Sequence, residues 1–427
     1  MPGCGLPGPY LGRGTRGEGD MDRSGAEKYA EVILKSGVNL AVGQPVFLRA
    51  DPGNRWFAEV IARKAYELGS PYVHVVYGDT RLEIARVAAA REDSLSYVPS
   101  FTSLLYRTYI DENWASVALT GPEDPDAYEG VDSRRLGAVR KANSKAARGW
   151  LEGISSNKIR WNVCLWPTPG WAAKVLGTES GWEKAIWDVL TPILRLDRED
   201  PAAAWLEHDA ELKRRAAFLN GARFDRFHLT GPGTDLIVGM APDRVFAGGR
   251  CTALDGRPFF PNIPTEEVFS TPDFRRTEGR VRCTRPVQVN GTNVEGAWFE
   301  FEAGRVKSFG ADRNEGALGE FLSTDDNARF LGEIALVGTD SPIYRSGRIF
   351  HSILFDENAA IHVALGNGYT ECVEGMKSAD DAKLLSDGCN VSLVHVDFMV
   401  GSDEVSVDGL DVAGNATRII SSGRFVI

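Results

Sequence analysis

The chain has 427 residues, so two or three domains are expected rather than one. Apolar residues make up 43% and charged residues 25%, which excludes a disordered, collagenous or coiled-coil protein. Lys and Arg total 48 against 59 Asp and Glu, a net charge of −11, which argues against a nucleic-acid binder. No run of roughly 18 apolar residues marks a membrane-spanning helix. Six scattered Cys form neither a CxxC metal pattern nor a disulfide framework. What remains is a soluble, cytoplasmic protein with no membrane partner.

The first twenty residues hold seven Gly and three Pro and cannot pack a core, so 1–20 is expected to be a disordered extension. Gly12, Gly14 and Gly17 form a GxGxxG, but neither a strand before it nor a helix after it supports nucleotide binding. Met21 opens an amphipathic segment and is read as the natural start. Sequons at Asn290, Asn390 and Asn415 carry little weight without secretion. Residues 45–49 read as a buried strand, 54–69 as a helix with Trp56, Val60, Ile61 and Ala65 on one face, and 72–77 as the next strand. A second strand–helix–strand unit follows, with strands at 116–121 and 159–166 around one long helix near 133–154. Helical pattern fills 171–195 and 201–218. Thereafter short β-branched strands separated by turns take over, with one helix expected at 322–331. The fold class is therefore α/β with two domains. Residues 21–200 are expected to form an open α/β domain with βαβ units, and 201–427 a mixed α+β domain.

Four of the six His, at 228, 351, 362 and 395, lie in the second half. His74 sits in an apolar strand and reads as a satisfied core histidine. His208, between Glu207 and Asp209, reads as a solvated surface residue. In residues 390–402 strand alternation puts Val391, Leu393, His395, Asp397 and Met399 on one face. His395 and Asp397 fit either a buried hydrogen-bonded pair or two metal ligands. In 350–369, His362 lies in a short apolar strand and ranks above His351. Gly366 and Gly368 permit a turn that returns Tyr369 over His362. Asp356 and Glu357 are placed to support the site. Glu333 opens an apolar strand, where a carboxylate is rarely buried unless paired or metal-bound. Glu266 and Glu267 occupy a Pro-punctuated loop, one pointing inward. Together these supply N and O ligands without thiolate, a set for Zn, Co, Mn or Mg. The surplus of carboxylates suggests two ions.

The ordered strings NIPTEEVF, LGEIALVG, LFDENAAIHVALGNGY and VHVDFMVGS, preceded by GTDLIVGM, resemble the M29 family of metallo-aminopeptidases. The resemblance covers Met21 to Ile427. It implies a two-metal centre whose ligands here are Glu267, Glu333, His362, His395 and Asp397, with Glu266 as the alternative to Glu267. It also implies a catalytic role for Tyr369, a homodimer, and apolar-leaning removal of N-terminal residues from peptides with a free N-terminus. In that reading Glu333 or Glu267 takes the proton of the attacking water. Two alternatives remain. One is an Fe(II)-dependent ring-cleaving dioxygenase on a similar scaffold, acting on dihydroxypyridine. The other is a non-catalytic ligand-binding protein whose His and Asp pairs only satisfy the core.

Overall fold

The computed structural model describes residues 23–289, 291–376 and 379–427. The glycine-rich extension, its GxGxxG, the Met21 start and the Asn290 sequon lie outside the described residues.

The described residues open with helix α1 (Arg23–Val32) and then build a parallel sheet. Strand β1 (Val46–Ala50), helix α2 (Arg55–Glu67) and strand β2 (Val73–Tyr77) form the first βαβ unit, with Val46 opposite Val73. In α2 the buried stripe is Phe57, Val60, Ile61 and Ala65. Trp56 was expected on that face but is 49% exposed. Phe57, Ile61 and Ala65 repeat at i, i+4 and i+8, and Trp56 falls one position outside that row. It lies tilted against Trp166 instead, ring centroids 5.5 Å apart. Helices α3 (Thr80–Ala89) and α4 (Ser100–Asp111) precede β3 (Ala115–Thr120). β3 pairs in parallel with β4 (Trp161–Leu165). The single long helix expected between them is two, α5 (Ser133–Ala146) and α6 (Arg148–Ser155), broken at Ala147. The sheet order is β2-β1-β3-β4. The pattern at 171–195 also divides, into α7 (Pro169–Leu176), which ends on left-handed Gly177, and α8 (Trp182–Ile193).

Helix α9 (Pro201–Ala222) starts on Asp200, whose carboxylate accepts the Ala203 amide, with Pro201 at the first turn. It joins two cores. Trp205 packs in the first with the parallel sheet, whereas Leu212, Ala216 and Leu219 pack in the second. Phe350, Leu354 and Phe355 from the second half return to the first core.

The second half is antiparallel. One sheet contains β5 (Arg226–Gly231), β6 (Thr234–Met240), β10 (Pro272–Arg282), β13 (Trp298–Glu302), β14 (Arg305–Gly310), β18 (Ser406–Leu410), β19 (Ala416–Ser421) and β20 (Arg424–Phe425). Its order is β14-β13-β10-β6-β5-β18-β19-β20. Two small hairpins are β7 (Cys251–Thr252) with β8 (Pro258–Phe259), and β11 (Val287–Val289) with β12 (Thr292–Val294). A four-stranded sheet, ordered β17-β16-β15-β9, carries the candidate site. Its strands are β9 (Val268–Ser270), β15 (Leu331–Leu336), β16 (His362–Gly366) and β17 (His395–Met399). The helix expected at 322–331 is absent. Helix α10 (Glu315–Phe321) ends first, and Leu331 already begins β15. Asp325 accepts the amides of Asn327 and Ala328, a local turn that competes with helix. Among the described residues no helix is long and apolar enough to cross a membrane.

Candidate metal centre

Strand register brings the site together. Residues directly opposite in an antiparallel pair share a face. Ala364 on β16 lies opposite Glu333 on one side and Asp397 on the other. His362 lies opposite Ala335 and Met399, and Gly366 opposite His395. Glu333, His362, His395 and Asp397 therefore project from one face, with small Ala364 and Gly366 between them. A bulge between Leu331 and Glu333 sets this register. Without it, the pairing of Leu331 with Leu365 would carry Glu333 opposite Val363, on the other face. Gly332 occupies the bulge, and a Cβ there would meet the Asn367 carbonyl oxygen at 2.2 Å. Glu267 enters from the residue before β9, the neighbour of β15.

The ligand atoms form two overlapping groups, Glu267–Glu333–His362 and Glu333–His395–Asp397. Within each, one atom per residue lies within 4.8 Å of the others. Glu333 belongs to both. Its Oε1 is 4.0 Å from His362 Nε2, and its Oε2 is 3.3 Å from His395 Nε2. His362 Nε2 is also 3.2 Å from Glu267 Oε2, and His395 Nε2 is 3.3 Å from Asp397 Oδ1.

Each imidazole is oriented by its other nitrogen. His362 Nδ1 donates to the Ala360 carbonyl at 3.2 Å, and His395 Nδ1 to the Asn367 carbonyl at 2.7 Å. In the neutral rings both Nε2 lone pairs therefore aim at carboxylate oxygens, an arrangement that calls for a cation between them. Without ions that cation is a proton. Burial lowers the pKa of His362, but the Glu267 hydrogen bond and the surrounding carboxylates outweigh it and raise the group to about 10. His395 is raised in the same way by Asp397 and Glu333. Burial pushes Glu333 up to about 7. Asp397 Oδ1 is buried and faces His395 Nε2. Buried carboxylate oxygens, two imidazole nitrogens facing oxygen and a shared glutamate form a donor set that fits divalent metal.

The two adjacent glutamates separate clearly. Glu266 accepts from Arg195 at 2.8 Å and lies 3.4 Å from His208 Nε2, so its charge is already paired. Glu267 is the one that faces His362. His208 is not the solvated residue expected from its acidic neighbours. Its Nε2 donates to the Thr265 carbonyl at 2.9 Å, its ring stands edge-on to Trp205, and burial lowers its pKa. His74 does take a partner, the Tyr109 hydroxyl at 2.7 Å. His228 pairs with Asp235 away from the centre. Leu393 was expected on the ligand face but precedes β17 and is 84% exposed. The Asn390 side chain is buried and donates to the Gly366 carbonyl.

Tyr369 arrives over His395 rather than over His362, its hydroxyl 3.3 Å from His395 Nε2. Thr271 holds its backbone from both sides, accepting the Tyr369 amide and donating to the Tyr369 carbonyl. Glu357 also reaches the centre, although sequence reasoning gave it only a supporting place. Burial and the charges of Glu267 and Asp397 raise its pKa well above the ordinary carboxylate value. Its neighbour Asp356 turns away and accepts the amides of Phe350 and Ser352. Two cavities meet here. One of about 530 Å³ is lined by Glu267, Glu333, His362, Tyr369 and Glu357. The other, of about 520 Å³, is lined by Asp397 and again by Glu357.

The sequence model of the thermophilic metalloproteases, M29, matches residues 23–425. The chain belongs to the M29 family. It is 40% identical to aminopeptidase T of Thermus thermophilus over 410 residues, covering 96% of this chain and all of that one. It is 36% identical to aminopeptidase PepS of Streptococcus thermophilus, covering 94% and 98%. The solved structure of wild-type AmpT from Thermus thermophilus superposes with a TM-score of 0.89 at 38% identity, covering 95% of this chain and 99% of that one. As an M29 protein it is expected to use divalent metal, and its carboxylate and histidine groups are candidates to bind it.

Proposed function

We propose that Glu267, Glu333 and His362 hold one divalent ion, that Glu333, His395 and Asp397 hold a second, and that the pair serves the removal of N-terminal residues from peptides. The chain is a metallo-aminopeptidase, a hydrolase acting on peptides. The observation that carries the two-ion reading is Glu333, whose two oxygens are directed to different histidines. Zn, Co, Mn and Mg all suit the N and O donors. When bound, such ions supply Lewis acidity that acidifies water and polarises a carbonyl.

The side chains do the rest. With both Glu333 oxygens committed to the ligand clusters, the proton-transfer role passes to Glu357, which lines both cavities beside Glu267 and Asp397. Glu357 takes a proton from the attacking water and returns it to the leaving amine. The Tyr369 hydroxyl donates to the tetrahedral oxyanion. The test is to strip the full chain with chelator, restore each metal separately, count bound ions and follow cleavage of one peptide with free and N-acetylated termini. Two ions per chain and cleavage of the free peptide only are expected. One bound iron with oxygen uptake on a dihydroxylated ring would instead favour the dioxygenase, an activity that none of the matched relatives is named for.

The same reading divides the chain into 21–200 and 201–427 and takes the active species as a homodimer. Exposed Phe101 and Leu104 on α4 offer apolar surface for a second copy. Light scattering on the purified chain tests it. Free thiols at Cys164, Cys283, Cys372 and Cys389 suit a reducing, cytoplasmic setting.

A further inference from the structure

We propose that the substrate's main chain docks as an added strand on Asn262, whose backbone N–H and C=O form a free edge of the parallel sheet where the two cavities meet. This rests on the aminopeptidase reading, and it assigns a positioning residue rather than a preference among side chains.

β4 ends the sheet order, and segment 261–263 lies alongside it as one further strand. Val163 and Asn262 form a parallel bridge. In it the Val163 amide donates to the Pro261 carbonyl at 2.7 Å, and the Ile263 amide donates to the Val163 carbonyl at 3.0 Å. The residue between those two bonds points its own N–H and C=O the other way. Asn262 therefore turns both groups to the side opposite β4. Among the described residues, none bonds either group or the Asn262 carboxamide. Asn262 is half-buried, where an unmade backbone bond is costly.

The segment is held rigidly. Phe260 and Ile263 are fully buried in the core of the parallel sheet. The Phe260 amide donates to the Gly37 carbonyl at 2.9 Å, and Asn162 Nδ2 donates to the Phe260 carbonyl at 2.8 Å. Glu267 follows shortly after, so the edge and a candidate ligand share one stretch of chain.

Position decides the occupant. Asn262 and Glu357 are the two residues that line both cavities. A peptide reaching from one cavity to the other passes between them, whichever way it runs. Unbonded backbone groups on a strand edge are a template for pairing, and peptide-binding proteins use such edges to hold a main chain whatever its side chains. The first substrate residue cannot supply the matching pair, because its amine is charged and its carbonyl is the group attacked. The peptide units beyond the scissile bond supply it. In an antiparallel hydrogen-bonded pair, one substrate residue exchanges both bonds with Asn262.

The experiment measures kcat and KM on the metal-loaded full chain and on Asn262→Pro. The substrates are Leu-p-nitroanilide, the peptide Leu-Ala-Ala-Ala, and that peptide N-methylated in turn at its third and its fourth residue. Proline removes the N–H, and because that N–H makes no internal bond the fold should tolerate it. Asn262→Pro should lower the tetrapeptide-to-anilide ratio of kcat/KM by about three- to tenfold, with the loss in KM. Methylation at one of the two positions should cost the wild type about three- to tenfold as well. The two losses should be less than additive, because both break the same pairing. Equal losses on anilide and tetrapeptide would make the proline effect structural and overturn the proposal, and so would additive losses. The methyl scan needs no variant. If Asn262→Pro does not fold, a loss at one position alone supports the proposal, and tolerance of both methyl groups overturns it. Failure of the aminopeptidase reading is separate, because it shows as no cleavage of either unmodified substrate or as cleavage of the N-acetylated tetrapeptide.

Discussion

Glu333 lies opposite Ala364 and not opposite Val363, because one extra residue, Gly332, is accommodated in β15. That residue turns an apolar-looking strand into one that aims a carboxylate at two histidines. Gly332 also abuts the Asn367 carbonyl, the acceptor that orients His395. Gly332→Ala would press a methyl to 2.2 Å from that oxygen, so both Glu333 and His395 must shift. The expected result is a stable fold, weakened by about 1–3 kcal/mol, that binds both ions less tightly. Calorimetric metal titration with parallel denaturant melts checks this. Unchanged affinity would mean that the bulge does not position the ligands.

Ion stoichiometry separates the glutamates. Glu333→Gln removes the carboxylate common to both groups and should lose both ions. Glu267→Gln should lose one. Glu266→Gln should keep both and lose stability instead, by about 3 kcal/mol, because it leaves Arg195 poorly paired at 11% exposure. Elemental analysis after gel filtration reads the ions, and denaturant melts read the stability.

The pH dependence of metal-free and metal-loaded protein should diverge. Without ions, His362 titrates near 10 against an ordinary 6.5, so its contribution to stability is complete below 6.5 and is lost as pH rises through 10. Glu333 titrates near 7 against 4.5, so the folded state holds its proton longer, and stability falls as pH rises from 4.5 through 7. Both push the same way. Divalent ions displace those protons and favour the ionised carboxylates. The gap in melting temperature between loaded and stripped protein should therefore widen steadily from acid to alkaline pH. A constant gap would locate the ions elsewhere.

The sequence and the structure agree best where the pattern is local. His395 and Asp397 were readable as partners because strand alternation alone puts them on one face. Glu333 was visible as an anomaly, a charge in an apolar strand, but its direction depends on a bulge that alternation does not announce. The choice between Glu266 and Glu267 required Arg195, 71 positions away in the chain. Tyr369 was read as returning over His362, yet the turn carries it one strand further, to His395. Glu357 stood beside Asp356 with nothing local to rank them, and only the fold shows one capping amides and the other facing the centre. Helices α3 and α4 went unread because they bury one and two residues respectively, too few to set a period. The α/β architecture was legible because strand and helix segments alternate at lengths that admit only parallel crossovers.

Tyr369→Phe should bind both ions with wild-type affinity and lose turnover by about 10²–10³-fold. Thr271 holds the Tyr369 backbone and the ring stands edge-on to Phe269, and the hydroxyl does not belong to either ligand group, so its removal leaves the centre intact. The loss should fall on kcat, because the oxyanion it meets exists only in the transition state. A loss confined to KM would make Tyr369 a substrate contact instead.

Glu357→Gln is the sharpest test of the division of labour among the four carboxylates. If Glu333 carried the proton, the substitution would leave chemistry running and alter only the cavity wall. If Glu357 carries it, turnover falls by about 10²–10⁴-fold while both ions stay bound. The pH profile adds a readout that a structural role would not move. The acid limb of wild-type kcat/KM should disappear from the residual activity of the glutamine variant. Retention of that limb in Glu357→Gln would return the proton to Glu333 or Glu267.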